Sequence, residues 1–327
     1  MRRLIIFLLV LALAFSGLVF WWVNQPLALT APTLDLSVEP GTTPRTVAQD
    51  TVASGVQTSP ALLYWWFRLS GQARVIKAGS YELETGLTPR TLLAKLTRGE
   101  EALRSVTLVE GWTFKQVRDA LSKAEHLTAD IKGLEVNLIM KKLGKPALHP
   151  EGRFYPDTYT YAKGSSDVKV LQRAMRAMDH HLAAAWALRA PNSPLKTQDE
   201  LLTLASIVEK ETGRASDRPM IASVFSNRLR LGMMLQTAPT VIYGMGEQFD
   251  GNLRRRDLLT DTPWNTYTRT GLPPTPIAMP GKASLLAAAQ PASSSALYFV
   301  ARGDGTSQFS DNLDAHNRAV NKFQRGQ

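Results

Sequence analysis

The sequence predicts an α+β protein in three parts: an N-terminal transmembrane helix, a small α+β module and a larger mixed α+β domain. Three observations predict it. An unbroken apolar run follows the first three residues. Short strand-like segments then alternate with short helical patterns as far as about Arg104. Longer helical patterns follow, interleaved with proline-bearing loops and closed by a hairpin pattern. With 327 residues, 44% hydrophobic and 20% charged, the chain can bury one substantial core and a smaller one.

Met1-Arg2-Arg3 precedes twenty uncharged residues, Leu4 to Val23. A helix of that length rises ~30 Å, the thickness of a bilayer's hydrocarbon core. Trp21 and Trp22 stand at its far end, where indoles favour the interface, and Arg2 and Arg3 predict a cytoplasmic N-terminus, residues 1–3. A cleaved signal peptide would need a shorter apolar core and small residues at a cleavage point, whereas Asn24-Gln25-Pro26 offers no A-x-A. Residues 24–32 read as a tether. Everything beyond Asn24 is therefore expected outside the cytoplasm. The chain has no cysteine, so its exported parts must hold by packing alone. A net charge of +10 suits an anionic partner. Export disfavours nucleic acid and leaves membrane surface or cell wall, although a generally basic surface reads the same way.

Residues 33–104 form the small module, and part of its pattern repeats. Glu39-Pro40-Gly41-Thr42-Thr43-Pro44 recurs in outline as Glu84-Thr85-Gly86-Leu87-Thr88-Pro89, and more faintly as Glu110-Gly111-Trp112-Thr113-Phe114. Each time an extended segment meets a glycine, then a threonine placed to cap a helix, with proline in two cases pre-set for its first turn. Ser59 to Leu69 reads as an aromatic-rich helix and Val75 to Leu83 as a strand.

The second domain occupies 105–327. Val106 to Val109 reads as a strand, Thr113 to Ala124 as a helix, Glu151 to Tyr159 as an aromatic turn-forming stretch, and Ser166 to Leu188 as a helix. Thr197-Gln198-Asp199-Glu200 is a capping-box pattern opening a helix that Gly213 is placed to stop, and another helix spans about Arg218 to Leu231. Beyond Gly232 the composition shifts to loops at 235–240, 264–267 and 271–277, which could wall a polar groove or serve as plain surface loops. Residues 297–310 read as a hairpin, followed by a helical segment with His316 and Asn317.

Thiol nucleophiles are excluded, neither G-x-S-x-G nor a phosphate-loop motif occurs, and none of the five histidines lies in H-E-x-x-H, so no metal site is expected. Carboxylate chemistry remains. Glu209 and Glu211 close the capped helix but point about 160° apart, so only one can serve a pocket. Leu204, Ile207 and Val208 would desolvate Glu211 more than the smaller neighbours of Glu209 would desolvate it, favouring a protonated general acid. Two glutamates around a lysine also describe a solvated helix end.

Four strings, EGRFYPDTY at 151–159, LASIVEKET at 204–212, LQTAPTVIYGMG at 235–246 and NTYTRTGLPPTPI at 265–277, together resemble the YceG-like endolytic murein transglycosylase family over nearly the whole chain. The resemblance implies a LysM-like small module and a lytic-transglycosylase-like catalytic domain without cofactor. It implies Glu211 as the catalytic residue and Gln236, Thr237, Thr240, Tyr243, Asn265, Thr266 and Tyr267 as substrate-binding residues. Trp264 stands where tyrosine is expected in many members, and Arg254-Arg255-Arg256 is unusually basic. The implied substrate is nascent peptidoglycan at the bacterial inner membrane, with the catalytic domain periplasmic and peptidoglycan synthases as partners. Cleavage between N-acetylmuramic acid and N-acetylglucosamine would leave 1,6-anhydromuramic ends. A water-using muramidase and a non-catalytic wall-binding scaffold are the alternatives.

Overall fold

The computed structural model describes residues 2–325. Met1, within the expected cytoplasmic segment, and the last two residues of the expected 105–327 domain lie outside the described residues, as do the side chains of Arg2 and Arg325. The chain folds as two compact units, Met1–Arg104 with Thr160–Ser165, and Ser105–Tyr159 with Ser166–Gln327.

The first unit begins with the apolar helix α1 (Arg2–Val23), long and apolar enough to cross a membrane. Then come β1 (Ala28–Leu29), β2 (Thr33–Val38), α2 (Pro44–Ala53), β3 (Val56–Gln57), α3 (Pro60–Leu69), β4 (Gly79–Glu84) and α4 (Pro89–Arg98). Strands β2 and β4 pair antiparallel from Thr33 opposite Glu84 to Val38 opposite Gly79, and β1 pairs antiparallel with β3. Leu34, Leu36 and Val38 alternate inward along β2, while Thr33, Asp35 and Ser37 face out. They pack on Val47, Leu63, Phe67, Leu83, Leu92 and Leu96. Residues 24–32, read from the sequence as a tether, instead carry β1 and bury Leu27, whose N–H donates to Leu87 O at 2.7 Å. The strand expected from Val75 starts later, at Gly79, after a 3₁₀ turn over Ala73–Val75.

All three repeats are strand–turn–helix units. Gly41, Gly86 and Gly111 adopt φ of +84°, +93° and +78°, the left-handed region glycine enters without strain. Thr43, Thr88 and Thr113 then cap their helices by accepting an N–H three residues on.

The chain continues as β5 (Leu103–Thr107), α5 (Phe114–Lys123), α6 (Val136–Lys142) and β6 (Thr158–Ala162), with β5 paired to β6. Helices α7 (Asp167–Ala187), α8 (Gln198–Glu211), α9 (Arg218–Arg230), α10 (Ala238–Met245), α11 (Arg255–Leu259) and α12 (Lys282–Ala289) follow. The antiparallel hairpin β7 (Tyr298–Ala301) and β8 (Ser307–Ser310) and helix α13 (Leu313–Val320) close the fold. Helix α8 lies at the centre, packed against α7, α9, α10 and α12. Its residues 201–208 are all buried, so it is a core helix rather than an amphipathic surface one.

Two details of α8 differ from the sequence reading. Thr197 does accept the Glu200 N–H at 3.1 Å, but the Glu200 carboxylate reaches Lys196 N–H instead of closing the box on Thr197. The helix also stops before Gly213: Thr212 is already extended, which leaves Glu211 as the last helical residue. The stretch 235–240, expected as loop, holds the start of α10. Pro239 lies in the first turn of that helix, behind Thr237 at its N-cap position. A proline there is compatible with helix because its missing N–H would be unpaired anyway.

Candidate catalytic site

The two glutamates at the end of α8 have opposite surroundings. Glu209, with 5% of its side chain exposed, is paired to the Arg218 guanidinium at 3.0 Å and also accepts the Gly281 N–H at 2.9 Å. It ties the start of α9 and the start of α12 to α8. Among the described residues Glu211 meets no cation of this kind. Its carboxylate oxygen accepts the Thr237 hydroxyl at 2.6 Å. Burial raises its pKa, opposed by the Thr237 hydrogen bond. Burial disfavours the charged form, and a neutral donor only partly restores it.

Thr237 is held by a small hydroxyl network. Its N–H donates to Thr266 Oγ1 at 3.1 Å, and Thr240 Oγ1 lies 2.8 Å from both Thr237 O and Thr266 Oγ1. Thr237, Thr240 and Thr266 are all buried. Asn265, fully buried, donates to Leu258 O and Thr260 O and accepts the Tyr267 N–H. Of the seven expected substrate-binding residues, Thr237 therefore touches Glu211, whereas Thr240, Thr266 and Asn265 hold the surrounding loops. The side chains that reach the surface are Gln236, Tyr243 and Tyr267. Tyr267 lies close enough for the Glu211 charge to add to burial in raising its phenol pKa. Gln236 adopts φ +50°, a left-handed conformation uncommon for a side-chain-bearing residue and often found at functional sites. The buried Arg228 secures the approach to it, donating to Met234 O, Leu235 O and Leu297 O.

Tyr243 leads to a residue that sequence reasoning missed. Its hydroxyl donates to Glu151 Oε2 at 3.0 Å, and Glu151 Oε1 accepts the Phe114 N–H at 2.9 Å. Glu151 is 3% exposed, and burial lifts its pKa to about 7 against these hydrogen bonds. The available signal was an acidic residue opening an aromatic turn, which is weak alone. Glu151, Tyr243, Trp264 and Lys210 help line a cavity of about 880 Å³. Lys210 precedes Glu211 on α8, while Glu211 itself is outside the lining. The Tyr243 and Trp264 rings meet edge to face at 5.6 Å.

The model of the YceG-like family matches residues 36–322, nearly all of the chain. The chain belongs to the YceG-like family. Its Bacillus subtilis relative named endolytic murein transglycosylase is 30% identical over 308 residues, 89% of this chain and 85% of that protein. A Streptococcus pneumoniae protein of the same name is 29% identical over 279 residues, 75% of this chain and half of that longer protein. A YceG-like protein crystal structure from Listeria monocytogenes superposes with a TM-score of 0.54 at 27% identity, covering 88% of this chain and 98% of that one.

In this YceG-like chain two of the histidines stack on tyrosine rings. His181 stacks on Tyr155 with ring centroids 4.0 Å apart, and His316 stacks on Tyr298 at 5.1 Å. Among the described residues no three His, Asp or Glu side chains come together as metal ligands.

Proposed function

We propose that this chain is an endolytic murein transglycosylase that cleaves within nascent peptidoglycan strands and so ends their elongation. The observation that carries the reading is the Glu211 carboxyl, desolvated and met by a neutral hydroxyl, in a chain of the YceG-like family. A carboxyl held toward its neutral form can protonate the oxygen between N-acetylmuramic acid and N-acetylglucosamine. The substrate's own N-acetyl group stabilises the charge developing at C1. Glu211, then a carboxylate, removes the proton of the sugar's 6-hydroxyl as that oxygen attacks C1. The reaction is an intramolecular transglycosylation: the bond from C1 to the N-acetylglucosamine oxygen breaks, the C1–O6 bond forms, no water is consumed, and a 1,6-anhydromuramic end is left.

Gln236, Tyr243 and Tyr267 are the candidates for direct glycan contact, and Thr237 for positioning the acid. The first unit serves as a LysM-like wall-binding module, supported by its two antiparallel strands flanking a helix pair. Helix α1 anchors the chain in the inner membrane, the N-terminus cytoplasmic and both units periplasmic, next to peptidoglycan synthases as partners. Its length and its uncharged run from Leu4 to Val23 support this.

The test is digestion of purified sacculi with the full chain and with Glu211→Gln and Glu209→Gln, the glycan ends being identified by mass spectrometry. Anhydro ends are expected from the wild type, with a fall of about 10²–10⁴-fold in Glu211→Gln. Reducing muramic ends would make the chain a muramidase, and no cleavage by the wild type would make it a scaffold. Activity lost in Glu209→Gln but kept in Glu211→Gln would move the acid to the other glutamate.

A further inference from the structure

Helix α3 carries two apolar faces. Leu63 and Phe67 point into the core of the first unit. Leu62, Trp65 and Leu69 follow the i, i+3, i+7 spacing of a second stripe and are 51%, 57% and 68% exposed. Three large apolar side chains in one exposed row are costly in water.

That row stands beside α1. Leu62, Trp65 and Leu69 face Phe15, Leu18 and Trp22 across an apolar cleft of about 300 Å³. Helix α1 is not loosely strung to this unit. Val23 is 2% exposed, Trp22 packs on the unit's core, and Asn24 accepts from Arg90 at 3.2 Å while donating to Phe20 O. The Arg90 guanidinium also lies over the Phe20 ring, 5.8 Å from its centroid. The end of the anchor and α3 therefore hold a fixed relation.

Depth follows from that relation. At 1.5 Å per residue, Phe15 lies about 12 Å back along α1 from Val23, well inside the outer half of a ~30 Å hydrocarbon layer that α1 just spans. A side chain packed beside Phe15 and Leu18 shares their solvent. We propose that α3 is a second membrane-contacting element, its Leu62, Trp65 and Leu69 row immersed in the outer leaflet and the cleft filled by lipid acyl chains. The exposed Arg68 in the last turn of α3 is placed to reach lipid phosphates from the same helix. The inference rests on α1 spanning the bilayer. It turns the first unit from a body hanging on an anchor into one seated on the membrane surface.

The absence of cysteine permits a direct test on the full chain in phosphatidylglycerol/phosphatidylethanolamine nanodiscs. Single cysteines replacing Leu62, Leu69, Leu13 and Arg98 are labelled with an environment-sensitive fluorophore and challenged with brominated lipid and with aqueous iodide. Leu13, 72% exposed on α1, reports on the anchor, and Arg98, on the exposed end of α4, reports on water. The expected result is quenching by brominated lipid at 62, 69 and 13, each at least about twofold above 98, with iodide quenching confined to 98. Iodide access at 62 and 69 with lipid access at 13 overturns the proposal and leaves the anchor standing. Iodide access at 13 removes both. Shielding of 62 and 69 from both quenchers places protein, such as a second copy, on the row and overturns the lipid assignment.

Discussion

Thr237 holds the proton affinity of Glu211 in check. Its hydroxyl donates to the carboxylate and so opposes the upward push of burial. Thr237→Val removes the donor at similar volume, and the Glu211 pKa rises further. With Glu211 as the proposed general acid, activity is lost as pH climbs through its pKa, so the alkaline limb of the pH–rate profile should move to higher pH in Thr237→Val and stay in place in Thr237→Ser. Glu151 offers a stability measurement instead. Burial lifts its pKa from 4.5 to about 7. Below 4.5 the folded and unfolded chains both hold the proton, and the group contributes nothing to pH dependence. As pH rises through the window the unfolded chain releases the proton and the folded one keeps it, so stability falls and levels off above about 7. The whole step is on the order of 3 kcal/mol. Urea midpoints taken across that window should show the fall in the wild type and a flatter line in Glu151→Gln. The Glu151 environment could not be read from sequence, because the hydroxyl that meets it belongs to Tyr243, 92 positions away.

Among the elements, the turn after α6 shows why two of the recognisable strings belong together. Gly152, in the first string, adopts φ +79°, and a Cβ there would lie 2.6 Å from Pro276 Cβ, in the last string. Gly152→Ala meets both the left-handed backbone and a rigid ring, so a loss of more than about 1–3 kcal/mol is expected as a lowered thermal midpoint. The strand–glycine–threonine–helix units were legible because a cap is a local device: the residues that make Thr43, Thr88 and Thr113 caps lie within four positions of one another. Helix α10 was not. Its Pro239 punctuates a loop or opens a helix equally well, and the choice is settled by packing of Val241 into the core and by Thr240 bonding to Thr266, 26 positions on. The same holds for the acid pair. Helical angle could show that Glu209 and Glu211 diverge, whereas Arg218 and Gly281, which claim Glu209, arrive from other elements.

At the scale of the molecule the chain has no cysteine and carries a net charge of +10. A polycation that binds an acidic polymer does so through long-range attraction that added electrolyte weakens. The apparent KM for glycan strands should therefore climb as sodium chloride is raised from about 50 mM to about 500 mM. Glu211, the proposed acid, should respond differently. Its proton affinity is set by enclosure and by a hydroxyl dipole at 2.6 Å, not by an ion whose field mobile counter-ions could dampen. The position of the alkaline limb should be the same at both salt concentrations, in steady-state assays that separate kcat from KM. Because Glu211 meets no counter-ion among the described residues, its proposed role implies that the ionic strength of the surrounding medium regulates how much substrate the protein captures without detuning the group proposed to cut it.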